Sequence, residues 1–419
     1  MASITGDYGS MDANARELAE NFDLEHLTPE FYADPYPTYR ALREHAPVKR
    51  LANGSFFLTR YDDLVSAYKT TKSFSSDKKR EFLPKFGETP LYAHHTTSLV
   101  FNDPPAHTRV RRLITGALSP RAIAGMEPDL VALVDSLLDA IEANGRCELI
   151  EDFAAAIPIE VIGNLLDVPR EERAPLRGWS MAILGALEPA LSVAALARGN
   201  QAVTEFLAYL ETLVARRRSK PGNPERDVLT RLIQGEGHGH SGSERLTEPE
   251  LLHNCIFLLN AGHETTTNLI GNGLVALASV PAERQRLIDN PDLIKTAIEE
   301  FLRFESSNQL GNRITTEPVE LGGVALPSGV SLTLCIGAAN RDPQQFNDPE
   351  RLDIGRSPNR HLAFATGAHQ CAGVALARLE GAIAISRFLK RFPGYALNGA
   401  PVRGGRVRFR GFLRVPCEV

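Results

Sequence analysis

The chain lacks the marks of a secreted, membrane-spanning or nucleic-acid-binding protein. Its 419 residues include only five cysteines, at positions 147, 255, 335, 371 and 417. They are odd in number, scattered and without a CxxC pair, which excludes a disulfide framework and fits a reducing compartment. No two lie near each other in sequence, so at most one is expected to take part in metal chemistry. The N-terminus has no basic start followed by an apolar run, so no signal peptide is expected. No stretch reaches the roughly 18 uncharged apolar residues of a membrane span. Neither charge sign dominates: 46 Lys and Arg stand against 51 Asp and Glu, a net charge of -5, which argues against general nucleic-acid affinity. Internal repeats and convincing linkers are also missing. The expectation is a soluble, cytoplasmic protein with neither membrane nor nucleic acid as partner.

What is present is ordinary for a globular protein, with 43% hydrophobic and 23% charged residues. Residues 1–22 are polar and are expected to be loose. Asn53-Gly54 between PVKRL and FFLTR marks a β-hairpin. Residues 104–280 show helical periodicity, as in VALVDSLLDAIE and VTEFLAYLETLVARR. SKPGNPERD and GEGHGHSGSER read as surface loops, and the His238 and His240 pair in the second is more often solvated than metal-binding. Val- and Leu-rich runs punctuated by Gly and Pro over 315–337 predict short strands, and VRGGRVRFRGFLRVP predicts a hairpin.

Cys371 lies where a glycine-containing loop enters an apolar helix that closes near Pro393. Free N–H groups and the positive end of a helix dipole favour thiolate there. Gly367 and Gly373 allow close approach, and Phe364 offers a flat apolar face. Taken alone, Cys371 does not decide the matter: a lone cysteine is more commonly a buried structural residue, and nucleophilic chemistry is a further option.

A second segment, from Leu246 to Pro281, predicts one long helix, about thirty residues and roughly 45 Å. Thr247 and Glu250 form a capping box, with Pro249 in the first turn. Its middle breaks helix rules: Gly262 is interior, and Thr265, Thr266 and Thr267 are consecutive β-branched residues. The Thr265 hydroxyl is placed to bond the Ala261 carbonyl and bend the helix, opening a groove for a diatomic molecule. Elsewhere, Glu300 and Arg303 share a helix face, as do His107 and Arg111 on a helix that Asp103 and Pro104 begin. Arg313 sits in a strand-like run.

The run Phe364-x-x-Gly367-x-His369-x-Cys371-x-Gly373 resembles the haem-binding loop of the cytochrome P450 family, departing from it in Ala365, where the family usually has Gly. Ala261-Gly262-His263-Glu264-Thr265-Thr266 is similar to the family's oxygen-binding segment, and Glu300-x-x-Arg303 to its ExxR element. The resemblance spans roughly residues 30 to 415, is closest to the bacterial soluble type, and implies a mainly helical, triangular single domain with small sheets over residues 23–419. It implies that Cys371 binds the iron of haem b (iron protoporphyrin IX). Thr265 then holds the dioxygen-derived ligand and Glu264 relays protons. His107, Arg111, Arg313 and His369 bind the propionates, and Glu300, Arg303 and Arg351 form a structural triad. Adjacent helix residues point about 100° apart, so Glu264 would act through water or a side-chain swing. The implied activity is monooxygenation of a small organic substrate, with electrons from a ferredoxin and its reductase docking near Arg109 and Arg112. A peroxide-driven peroxygenase and a non-catalytic haem sensor are the rival readings. The substrate is expected against Phe257, Asn260, Gln309 and Gly311 and the loop carrying Phe86, Tyr92, His94 and His95. Asn260 and Gln309 hint at a polar group on it.

Overall fold

The computed structural model describes residues 6–224, 227–235 and 245–419. The His238 and His240 pair falls outside the described residues. Helices dominate, as periodicity predicts. The longest, Glu248–Ser279, carries the predicted capping box, the Thr247 side chain accepting from the Glu250 amide and the Glu250 side chain from that of Thr247. Around it pack the helices Ala156–Leu165, Leu176–Gly185, Val193–Ser219 and Val374–Arg391. It is apolar on most sides, which suits a helix surrounded by others. Leu259, Ile270, Leu274 and Leu277 are fully buried; each such side chain contributes roughly 1.5–3 kcal/mol relative to exposure.

The largest sheet has five strands in the order Val48–Arg50, Phe56–Leu58, Ser331–Cys335, Leu310–Thr315 and Phe74–Ser75. The predicted hairpin pairs Val48 with Leu58. The C-terminal hairpin is shorter than its sequence suggests: Val402–Arg403 pairs with Phe412–Arg414, and residues 404–411 run irregularly between them. Among the described residues no helix is long and apolar enough to cross a membrane.

Three expectations need correction. Residues Gly6–Glu20 form a helix rather than a loose tail. Ala19 is fully buried in a cluster with Phe22, Tyr39 and Leu42, and Asp12 pairs with Arg16 and His45. The segment's polar composition hides the helix of Tyr36–His45 on which it rests. Second, Asp103 caps no helix: its carboxylate accepts from Ser75 and from the Ser76 amide, and the helix Ala106–Ala117 follows Pro105 without a side-chain cap. Third, two cysteines are neighbours after all. Cys147 and Cys417 face each other across an antiparallel strand pair, and all five are free thiols. Separation along the chain concealed a contact made by strand pairing.

Candidate active site

One large cavity, about 350 Å³, opens between the middle of the Glu248–Ser279 helix and the loop before Val374–Arg391. Phe364, Cys371 and Gly373 line one side; Ala261, Gly262 and Thr265 line the other. The loop is held by its own backbone. The Cys371 amide donates to the Phe364 carbonyl at 2.9 Å, and the Ala365 amide to that of Leu362 at 2.8 Å. Gly367 has φ +76, and a Cβ there would lie 2.6 Å from the Tyr68 carbonyl oxygen, so only glycine fits. Ala365 also adopts a left-handed conformation, φ 52, which costs a residue with a Cβ roughly 1–2 kcal/mol. The departure from the family's glycine is thus a strained position.

Cys371 is exposed by surface area, yet its thiol is raised above its ordinary pKa of 9.0, chiefly by burial. Both are true because its accessible face is the cavity wall. The Gly373 amide and Arg111 pull the other way but do not win. The expected helix-end preference for thiolate is therefore outweighed by desolvation, and a cation bound beside the sulfur would favour the thiolate.

His107, Arg111, Arg313 and His369 converge on the same cavity. The His107 and His369 rings lie with centroids 3.9 Å apart, tilted by 31°. Burial lowers both, to about 4 and about 3, so both are neutral donors at pH 7. Nε and Nη2 of Arg313, and Nε2 of His107, are buried without partners. Buried charged donors left unpaired are costly, and they fit a ligand bringing carboxylates into the cavity.

On the helix, the Thr265 hydroxyl donates to the Ala261 carbonyl at 2.7 Å, as expected. The helix nevertheless runs unbroken. Gly262 serves packing instead of a kink: a Cβ there would lie 2.3 Å from Cδ1 of Ile162. Glu264, next to Thr265, points away from the large cavity. It faces a second pocket of about 20 Å³ with Arg177, His263, Thr267 and Arg406, room for about one water. Arg406 donates to its carboxylate at 2.5 Å.

Beneath the loop, Arg303 donates from Nε and Nη2 to Glu300, both at 2.8 Å, with both side chains fully buried. The third partner is Arg356, whose Nε lies 3.1 Å from Glu300. Arg351 contributes only its carbonyl, accepting from Arg303 at 3.1 Å, and its side chain is exposed. The turn brings the Asp353 amide to Glu300 at 2.9 Å and so carries Arg351 past it.

Comparison with known proteins agrees with this arrangement. The cytochrome P450 family model matches residues 190–395. The biotin biosynthesis cytochrome P450 of Bacillus subtilis (strain 168) is 36% identical over 373 residues, 88% of this chain and 91% of that protein. The chain belongs to the cytochrome P450 family. The P450 monooxygenase PikC of Streptomyces venezuelae is 37% identical over 385 residues, covering 90% of this chain and 89% of its own. A solved P450 in complex with a hexadec-9Z-enoic-acid-ligated acyl carrier protein superimposes with a TM-score of 0.87 at 33% identity, covering 94% of this chain and 100% of that one. A myxobacterial P450 in complex with myristic acid gives 0.85 at 36% identity, covering 94% and 98%. The protein is a P450 monooxygenase, an oxidoreductase that binds haem. The cavity fits that cofactor, with a thiol on its wall and orphaned donors suited to two propionates.

The pocket residues of this P450 were partly legible in advance. Phe257, Asn260, Gly311, His94 and His95 line the cavity. Gln309 does not: it is fully buried and donates to the Ser306 carbonyl at 2.7 Å. Arg406 and Arg408 were missed. Alternation of charged and apolar residues over 406–410 predicted a hairpin and gave no role to these arginines, whereas Arg406, Arg408 and Arg410 all turn inward.

The Arg406–Glu264 pair predicts a pH effect. Burial raises Glu264 to about 7, and Arg406 opposes that rise. Arg406→Leu should move the Glu264-dependent limb of the turnover–pH profile upward by about one to two units, since a charged hydrogen bond contributes roughly 1.5–3 kcal/mol and one unit is about 1.4. Glu264→Gln should remove the limb. A limb unmoved in Arg406→Leu would show that this pair does not control the proton.

Proposed function

We propose that residues 23–419 act as one unit that inserts one oxygen atom from dioxygen into a C–H bond of a small organic substrate, with haem b ligated by Cys371. The observation that carries this reading is the single cavity bearing Cys371 on one wall and Thr265 on the other. When bound, haem supplies dioxygen activation, and electron donation from the thiolate favours O–O cleavage. His107, Arg111, Arg313 and His369 anchor the propionates, and Phe364 and Gly373 flank the sulfur. Ala261 and Gly262 keep the helix surface low beside Thr265, whose hydroxyl accepts and passes a proton at Oγ1. Glu264 holds its proton near neutral pH and delivers it through a water or by swinging away from Arg406. Glu300, Arg303 and Arg356 hold the floor of the site rigid. The mostly apolar wall suits a largely hydrocarbon substrate. Five free thiols suit a reducing, cytoplasmic setting.

Electrons are supplied by a ferredoxin and its reductase. Of the two arginines expected at the docking face, Arg109 is engaged by Glu250 and the Arg245 carbonyl. Arg112 is the more exposed of the two, and that exposure alone selects it for the prediction. Arg112→Glu should slow reduction by an acidic ferredoxin several-fold at low salt and little at high salt; an unchanged rate at low salt would remove Arg112 from the interface.

The reading is tested with the haem-loaded protein, ferredoxin, reductase and isotope-labelled dioxygen. One labelled oxygen atom in the product is expected. Turnover with hydrogen peroxide but none with dioxygen and electrons would instead establish a peroxygenase.

A further inference from the structure

The cavity has one cation that the propionate set does not use. Arg408 lines the wall with Ser76, His95, Asn308 and Asn312. Its Nε donates to the Leu187 carbonyl at 3.1 Å, its Nη1 to that of Leu310 at 2.9 Å, and its Nη2 to Oδ1 of Asn312. All three acceptors are neutral, and a guanidinium has five N–H groups, so two remain. The side chain is deeply placed yet keeps part of its surface accessible, and that surface is the cavity's.

Glu188 and Glu81 favour the charged form of Arg408, but the guanidinium's three hydrogen bonds all go to neutral acceptors. Glu81 accepts from Lys78 at 2.7 Å and Ser331 at 2.6 Å. Glu188 accepts from the backbone amides of Val407 at 2.9 Å and Arg408 at 3.2 Å. Lys85 donates to the Glu188 carbonyl, not to its carboxylate. Lys78, Lys85, Glu81 and Glu188 lie behind the cavity wall rather than on it, and with Arg408 they make three cations against two carboxylates. Beside Arg408, the His95 ring is caged by Phe82, Phe86 and Phe101. Its Nε2 has no partner, and burial keeps the ring neutral. A neutral imidazole can donate one hydrogen bond without adding charge.

We propose that the substrate bears a free carboxylate, anchored by Arg408 with His95 as a second donor, while its hydrocarbon body lies against the apolar wall. Arg suits this task because its planar fork meets a carboxylate with two parallel bonds. The inference rests on the haem-thiolate reading, since the same cavity serves both. It also excludes acyl thioesters as the preferred form, because a thioester carries no anion for the guanidinium.

The test is a titration of the holoenzyme, followed by the haem spin-state spectrum and independently by calorimetry. The probes are tetradecanoate, methyl tetradecanoate and tetradecan-1-ol, with lithocholate and its methyl ester as a second skeleton. At least one acid should bind about ten- to a hundredfold tighter than its own methyl ester, although the ester is the more apolar. Arg408→Leu should bring that ratio close to one, and His95→Phe should reduce it by a smaller factor. Arg408 also braces the Leu310 strand, so Arg408→Lys is the companion variant: it keeps the charge, loses the fork and should retain a weakened preference. Equal binding of acid and ester by the wild type, for both skeletons, overturns the proposal without any variant. A preference undiminished in Arg408→Leu also overturns it. The carbon monoxide spectrum of the same reduced samples separates the two layers. A thiolate-type Soret band with no acid preference sinks the carboxylate anchor alone, whereas loss of that band sinks the haem-thiolate reading beneath it.

Discussion

Cys371→Ser is expected to abolish dioxygen-dependent turnover while leaving the protein folded. The substitution exchanges one atom on a side chain that faces the cavity rather than the packed core. It should change the stability of the haem-free protein by less than about 0.5–1 kcal/mol. Chemically the change is large. The thiol is pushed up by burial, and a metal cation at the sulfur would favour the thiolate. A serine hydroxyl is a harder, far less acidic donor and cannot push electron density onto the iron as sulfur does. Turnover should fall to background while denaturant unfolding stays near wild type. Wild-type turnover by the serine variant would contradict the assignment, and loss of the fold would show that Cys371 is a packing residue.

The second large effect concerns the buried carboxylate beneath the loop. Glu300 accepts from Arg303, Arg356, Asn359 and the Asp353 amide. Removing it leaves two arginines facing each other with no counter-charge, one of them fully buried. Breaking such a pair from one side costs about 3–5 kcal/mol, against total stabilities of about 5–15. Glu300→Ala should therefore yield little folded holoprotein. Two further variants make the prediction specific. Arg356→Ala should cost about 1–3 kcal/mol, because Glu300 keeps Arg303 but loses a charged donor. Arg351→Ala should lie within about 0.5 kcal/mol of wild type, since only its carbonyl is used. Urea unfolding of the three variants checks the order. A large loss in Arg351→Ala with none in Arg356→Ala would restore the triad expected from sequence.

That reversal shows where sequence reasoning stops. Spacing along one helix is a local quantity, so the Glu300–Arg303 pair, the capping box at Thr247 and the Thr265–Ala261 hydrogen bond were all legible. The third partner of Glu300 depends on how the 351–356 turn is laid across the helix, which residue type alone does not specify. Gln309 and Asn260 show the same boundary. Both are buried amides, Asn260 within an apolar run and Gln309 within a polar one, but Gln309 meets a backbone carbonyl while Asn260 is left unpaired in the cavity wall. The helix of Gly6–Glu20 owes its order to a partner helix, and the Cys147–Cys417 contact to strand pairing. For Arg406 and Arg408 the alternating pattern was visible but did not say which face lies inside: Val407 and Phe409 are buried as well, so both faces of the segment lie inside. Two-sided burial of a charged segment at a cavity rim is a sign of function rather than of an ordinary edge strand.

X-ray absorption at the iron edge of the holoenzyme probes the metal's immediate neighbours directly. The wild type should show one sulfur at covalent distance, and Cys371→Ser should show none. A sulfur neighbour surviving in the variant, or nitrogen and oxygen neighbours alone in the wild type, would contradict a bond from iron to this residue.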